Sequence, residues 1–283
     1  MPDDRSPAID SPANPRIRAA VALRERRERD VSGLTLVDGG REARRAIDAG
    51  VEIETAFVCP ELLVGSEARE AVNALARANG RRELIAVSER AFEKLAYGDR
   101  SDGVVLVVRP RVRVLADLEL ADAPLVVVTE DVEKPGNVGA ILRSADGAGA
   151  GAVIAVGGTD LFNPNVIRAS VGTVFSMPVA AAPVEEVAAW LRLRGLRIVA
   201  TRVDSPTLHA DADLRGPLAI VLGSEAEGLS AAWHGEDVES IRLPMEGVAD
   251  SLNVSAAAAV LLYEAWRQRR RHTSDTECTS QSG

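Results

Sequence analysis

The chain has 283 residues, 46% of them hydrophobic and 27% charged, with a net charge of −9. That is enough apolar material for one large or two modest cores, and the acidic balance argues against a sequence-blind nucleic-acid binder. No apolar run reaches the roughly 18 residues of a membrane span, and Met1-Pro2-Asp3-Asp4-Arg5 has no signal core behind it, so a soluble, cytoplasmic protein with no membrane partner is expected.

Residues 1–13, rich in Pro, Asp and Ser, predict disorder. From Asn14 to about Arg29 the apolar Ile17, Val21 and Leu23 stand among arginines, which predicts one helix with a narrow buried stripe. Short apolar runs at 34–37, 55–58, 84–87 and 104–108 then read as strands, with helices at 41–49, 67–79 and 89–97 between them. Gly50 and Gly80 stand where helices would end. This is the alternation of a small α/β domain.

A linker follows through Arg109–Pro124, which puts a boundary near residue 115. Beyond it, runs at 125–129, 152–156, 197–201, 218–222 and 240–243 are continuous and β-branched, as parallel strands buried on both faces are. Helices are expected at 138–147, 184–193 and 254–268, giving a second α/β domain with a mostly parallel sheet. Residues 273–283 again predict disorder. The expected division is 1–13, 14–114, 115–272 and 273–283.

Arginines crowd 16–29, recur at Arg41, Arg44 and Arg45, and close the last helix at Arg267, Arg269, Arg270 and Arg271. Each cluster is either a solvated helix face or a local basic surface compatible with structured RNA. Cys59 and Cys278, with the scattered His209, His234 and His272, have no metal-ligand spacing, so no metal is expected.

Three polar stretches fall at strand ends, where ligands bind on parallel sheets. The first runs from Glu130 through Pro135-Gly136-Asn137-Val138-Gly139 to Arg143. Gly136 and Gly139 would allow close backbone approach, Asn137 would cap a helix or orient a ligand, and Arg143, among apolar neighbours, would require a carboxylate or phosphate nearby. The second is Leu222-Gly223-Ser224-Glu225-Ala226-Glu227-Gly228, a tight turn holding two carboxylates. The third, Leu243-Pro244-Met245, leads to Ser251-Leu252-Asn253-Val254-Ser255 and an alanine run, where Ser251, Asn253 and Ser255 each suit a helix cap. Gly147-Ala148-Gly149-Ala150-Gly151 is glycine-rich, but it precedes a strand and so does not form a phosphate-binding turn.

Together these stretches, in this order over about residues 125–268, resemble the SpoU (TrmH-like) branch of the SPOUT RNA methyltransferases. Asn163-Pro164-Asn165 through Pro178 is similar to that family's middle segment, and the first half more loosely resembles an L30e-like RNA-binding domain. The resemblance implies a C-terminal SPOUT domain with a trefoil knot, a homodimer, and S-adenosylmethionine-dependent 2′-O-methylation of a ribose in RNA, with ribosomal RNA favoured over transfer RNA.

By the same resemblance Asn137, Arg143, Glu225, Ser251 and Asn253 serve the reaction, and Leu222, Gly223, Leu243, Met245 and Leu252 hold the cofactor. The resemblance places Arg143 at the hydroxyl, as base or as a clamp on the neighbouring phosphate; the clamp is favoured because a guanidinium stays protonated, and both roles stay open. Lys134 departs from the family, which commonly has Asp before the motif's proline. A transfer-RNA enzyme and a catalytically silent RNA-binding protein on the same fold stay open. A nucleotide-dependent oxidoreductase lacks the glycine fingerprint in the right context.

Overall fold

The structure, a computed structural model, describes residues 9–77, 83–96, 102–111, 113–224 and 227–280, with side chains to 270. Gly80, Glu225 and most of the N-terminal stretch expected to be disordered lie outside the described residues.

The first half runs α1 (Pro15–Ala22), α2 (Arg26–Ser32), β1 (Thr35–Asp38), α3 (Gly40–Asp48), β2 (Glu52–Val58), α4 (Ser66–Arg77), β3 (Glu83–Ala86), α5 (Glu89–Leu95) and β4 (Val104–Arg109). The second runs β5 (Leu125–Glu130), α6 (Pro135–Gly147), β6 (Ala152–Val156), α7 (Pro164–Ala169), α8 (Thr173–Ser176), β7 (Val179–Ala181), α9 (Val184–Leu193), β8 (Arg197–Thr201), β9 (Leu218–Leu222), β10 (Val238–Ile241) and α10 (Val254–Ser280). The last helix is longer than the expected 254–268.

The chain forms two compact units: residues 1–111 with 160–176, and 112–159 with 177–283. The assignment of 160–176 to the first unit departs from the contiguous division expected. Helices α7 and α8 pack on β1 and α3. Thr35 Oγ1 donates to the Phe162 carbonyl (2.7 Å), Arg45 to the Val171 carbonyl (2.5 Å), and Arg168 pairs with Asp38 (3.5 Å).

In the first unit the sheet order is β1-β4-β2-β3, antiparallel except for β2 with β3. Its core gathers Ile17, Leu36, Phe57, Phe92, Leu95 and Val105, all buried, each side chain contributing about 1.5–3 kcal/mol. Cys59 lies in this core; burial pushes its thiol up to about 11, and the neighbouring Glu61 adds to the shift. A protonated, buried thiol is a poor nucleophile.

The single helix expected over 14–29 is two helices, and the reason is Arg29. Its guanidinium, 6% exposed, donates to the carbonyls of Leu23 (2.8 Å) and Arg24 (2.7 Å) at the break and pairs with Asp160. Carbonyls freed by ending α1 are thereby satisfied.

The second unit holds six parallel strands in the order β10-β8-β9-β5-β6-β7. Strands β5 and β9 are neighbours although β6, β7 and β8 lie between them in sequence, so the chain changes direction across the sheet at that pair. A crevice outside the carboxyl ends is expected there. Val126, Val128, Ile154, Leu191, Val221 and Trp233 form the core on one face. Among the described residues no helix is long and apolar enough to cross a membrane.

Candidate active site

Loops leaving the carboxyl ends of β8, β9 and β10 converge with the start of α10 around one cavity of about 710 Å3. Leu222, Gly223, Leu243, Met245, Ser251 and Leu252 all line it. Gly223 is required by packing, since a Cβ there would collide with the Gly228 carbonyl. That contact lets the loop after β9 close on itself: Ser224 N–H donates to the Gly228 carbonyl and Gly228 N–H to the Ser224 carbonyl, both at 3.2 Å. Glu130, at the end of β5 and 3% exposed, anchors the same loop by accepting from Ser230 N–H and Oγ, each at 2.7 Å.

A second cavity of about 350 Å3 is lined by Asp131, Val132, Glu133, Lys134 and Asn137 after β5, with Ser224, Glu227 and Val254. The last three also line the first cavity. The two spaces therefore adjoin at the loop after β9 and the first residue of α10.

Asn253 joins the two sides of this arrangement. Its Oδ1 accepts from Ser255 N–H (3.0 Å) and Ser255 Oγ (2.6 Å), which caps α10, while its Nδ2 donates to Asn137 Oδ1 (3.1 Å) on α6. One amide thus fixes the entry of α10 and orients Asn137 beside the second cavity.

Several expectations are corrected here. Asn137 does not cap α6; the helix starts at Pro135, with Lys134 at the cap position and no side-chain cap bond. A Cβ on Gly136 would meet nothing within 4 Å, so close backbone approach does not explain that glycine. Arg143 is exposed, lines neither cavity, and has no ion-pair or hydrogen-bond partner among the described residues. Its guanidinium stays in water, so the desolvation cost that would demand a partner does not arise.

Sequence reading missed Arg202, Asp204 and His234 on the first cavity and Glu227 on both. Arg202 and Asp204 form a two-pronged pair (2.9 and 2.7 Å), and the Arg202 hydrogen bonds hold the Asp204 carboxyl below its ordinary value. Their signal was position alone, directly after β8. Among the described residues no three His, Cys, Asp or Glu side chains converge to hold a metal ion.

Comparison with known proteins gives this geometry its family. The profile of the SpoU rRNA methylase family matches residues 124–263, and that of the MRM3-like substrate binding domain matches 14–106. A 23S rRNA (uridine(2479)-2′-O)-methyltransferase of Streptomyces viridochromogenes is 32% identical over 260 residues, covering 87% of this chain and 87% of that protein. The chain belongs to the SpoU rRNA methylase family. Among solved structures, an RNA 2′-O ribose methyltransferase is 44% identical with a TM-score of 0.81, covering 93% of this chain and 99% of that one. An AdoMet-bound rRNA methyltransferase from Sinorhizobium meliloti is 29% identical with a TM-score of 0.82, covering 92% and 97%. The family match spans α7 and α8, so part of the matched region belongs to the first unit.

Proposed function

We propose that this protein is a cytoplasmic S-adenosylmethionine-dependent methyltransferase that modifies a ribose 2′-hydroxyl in 23S ribosomal RNA. The observation that carries this reading is the convergence of three strand-end loops and the α10 cap on one cavity that adjoins a second, more polar one. A cofactor and an acceptor ribose must meet at such a junction.

The first cavity fits S-adenosylmethionine by its chemistry: aliphatic walls from Leu222, Leu229, Leu243, Met245, Leu252 and Leu261 stand with the charged Arg202 and Asp204 at one side. A nucleoside bearing a zwitterionic amino-acid tail needs both kinds of surface. Leu222, Gly223, Leu243, Met245 and Leu252 hold it, and Ser251 sets its end. When bound, it supplies a methyl group already activated by the sulfonium charge.

Asn137, held by Asn253, orients the ribose in the second cavity. Arg143, exposed on α6, clamps a neighbouring RNA phosphate, and Glu225 steadies the loop after β9. Residues 14–114 form the RNA-binding domain and 115–272 the methyltransferase domain, whose segment from β9 through α10 carries the trefoil knot. Two copies associate through α10, where Val260, Tyr263 and Trp266, spaced three residues apart, leave apolar surface exposed.

Isothermal titration separates this reading from a catalytically silent RNA-binding protein and from a nucleotide-dependent oxidoreductase. Saturable binding of S-adenosylmethionine with no binding of nicotinamide dinucleotides is expected, and no binding of S-adenosylmethionine would overturn it.

A further inference from the structure

The lining of the second cavity carries both signs of charge, and their balance limits which part of a nucleotide can enter. Asp131, Glu133 and Glu227 bring carboxylates and Lys134 an ammonium, beside Asn137 and Ser224. A phosphodiester among carboxylates is repelled, so the RNA backbone runs outside and the base turns in. At about 350 Å3 the space lies in the range of small-ligand pockets. Ser224, Glu227 and Val254 also border the first cavity, which puts the reacting ribose at that end. Asp131, Glu133 and Lys134 border only the second, so the base meets them.

The backbone sets where these carboxylates stand. Asp131 has a φ of 51°, in the left-handed region that Asp tolerates better than most residues. Its Oδ1 lies so close to the loop after β6 that a Cβ on Gly157 would collide with it, and Gly157 itself has a φ of 83°. A Cβ on the next residue, Gly158, would stand 3.8 Å from Glu133 Oε1. Both carboxylates therefore flank one loop, which Thr159 pins to the cavity wall by donating from Oγ1 to the Val132 carbonyl (3.0 Å). Neither side chain has a hydrogen-bond or ion-pair partner among the described residues.

We propose that the second cavity takes a guanine base, read by Asp131 and Glu133, so that the methylated nucleotide is a guanosine; this rests on the methyltransferase reading above. An ionised carboxylate only accepts hydrogen bonds. Guanine alone among the RNA bases carries two adjacent donors on one edge, N1–H and N2–H, which a carboxylate can take together, while its O6 accepts from Lys134. Cytosine and adenine present a single donor group beside an acceptor nitrogen. Uracil flanks its one base N–H with two carbonyl oxygens, which the carboxylates repel. Lys134, where the family commonly has Asp, gains a role on this account as donor to the acceptor side of the base.

The test maps the methylated nucleotide on 23S rRNA, then measures transfer to fragments carrying that acceptor by wild type, Asp131→Asn and Glu133→Gln. Both changes are near-isosteric, and Asn also tolerates the left-handed backbone. Guanosine is expected at the mapped position; uridine, cytidine or adenosine there would overturn the proposal. With the acceptor replaced by inosine, which lacks only the N2 amino group, wild type should lose about tenfold or more in kcat/KM. Each variant should transfer more slowly to guanosine and show a smaller preference over inosine. Affinity for S-adenosylhomocysteine should be unchanged in both, since neither residue borders the first cavity, which checks folding. Equal transfer to guanosine and inosine by wild type, or a preference unchanged in both variants, would overturn the proposal. A wild type that methylates no RNA would overturn the methyltransferase reading itself, and this assignment with it.

Discussion

In the first unit several of the arginines that crowd the sequence are engaged within the fold, while the exposed Arg18 and Arg27 have no ion-pair or hydrogen-bond partner among the described residues. Arg16 reaches Glu83 (2.5 Å), Arg41 reaches Glu67 (3.1 Å), Arg44 reaches Asp48 (2.9 Å), and Arg24 donates to the last carbonyls of α5. The cluster at the end of α10 behaves alike: Arg267 pairs with Glu264, Arg269 donates to carbonyls at 123, 124, 214 and 216, and Arg270 stacks on Trp266. By contrast, Arg143 on the exposed side of α6 and the side chain of Glu227 in the loop after β9 have no such partner among the described residues. Charge that finds an internal partner holds the fold, whereas charge left open to solvent, as at Arg143, or beside a cavity, as at Glu227, is available to a ligand. Density of arginine along the chain does not separate these uses.

The largest effect that would break this contrast is at Arg29. Removing it leaves Asp160 and two carbonyls without their donor, so Arg29→Ala should cost about 3–5 kcal/mol. Chemical denaturation checks this, and a near-neutral result would remove Arg29 from the internal framework. Next comes Asn137→Ala, which should keep S-adenosylmethionine affinity while lowering turnover by on the order of 100-fold through misplacement of the ribose. Wild-type turnover in that variant would sink its orienting role.

A smaller effect concerns acid. The Arg267 hydrogen bond holds Glu264 at about 2 against an ordinary 4.5. Its folded form is thus favoured above 4.5, and that contribution is lost as pH falls through about 2. Melting temperature followed over that range should decline less steeply in Glu264→Gln than in wild type. Arg41→Ala should have the least effect, leaving both melting temperature and RNA affinity unchanged, because its partner Glu67 is exposed. A marked loss of RNA affinity would return the basic cluster to an RNA-binding role.

Strands were legible because their physics is local: β5, β6, β8 and β9 are continuous β-branched runs, and each forms where its pattern predicts. β7 is three residues long, and α7 and α8 are six and four, too short to show a period. The break between α1 and α2 depends on Arg29 meeting Asp160, 131 residues away, which no window of sequence contains. At the site, the stretches after β5, β9 and β10 announced themselves by glycine, asparagine and serine at strand ends. The partnering of Arg143 was misjudged because its neighbours in sequence are apolar while its own side of α6 faces water. Arg202 and Asp204 carried no motif, and Glu227 was overshadowed by Glu225 two residues before it.

The central claim is that the loops after β5, β8, β9 and β10 form a site for methylating ribosomal RNA. It is tested most directly by incubating the protein with methyl-labelled S-adenosylmethionine and separated 23S rRNA and tRNA, then mapping the blocked ribose. Label in 23S rRNA at a single 2′-oxygen is the predicted result; label in tRNA alone, or in neither fraction from a protein that binds the cofactor, would contradict it.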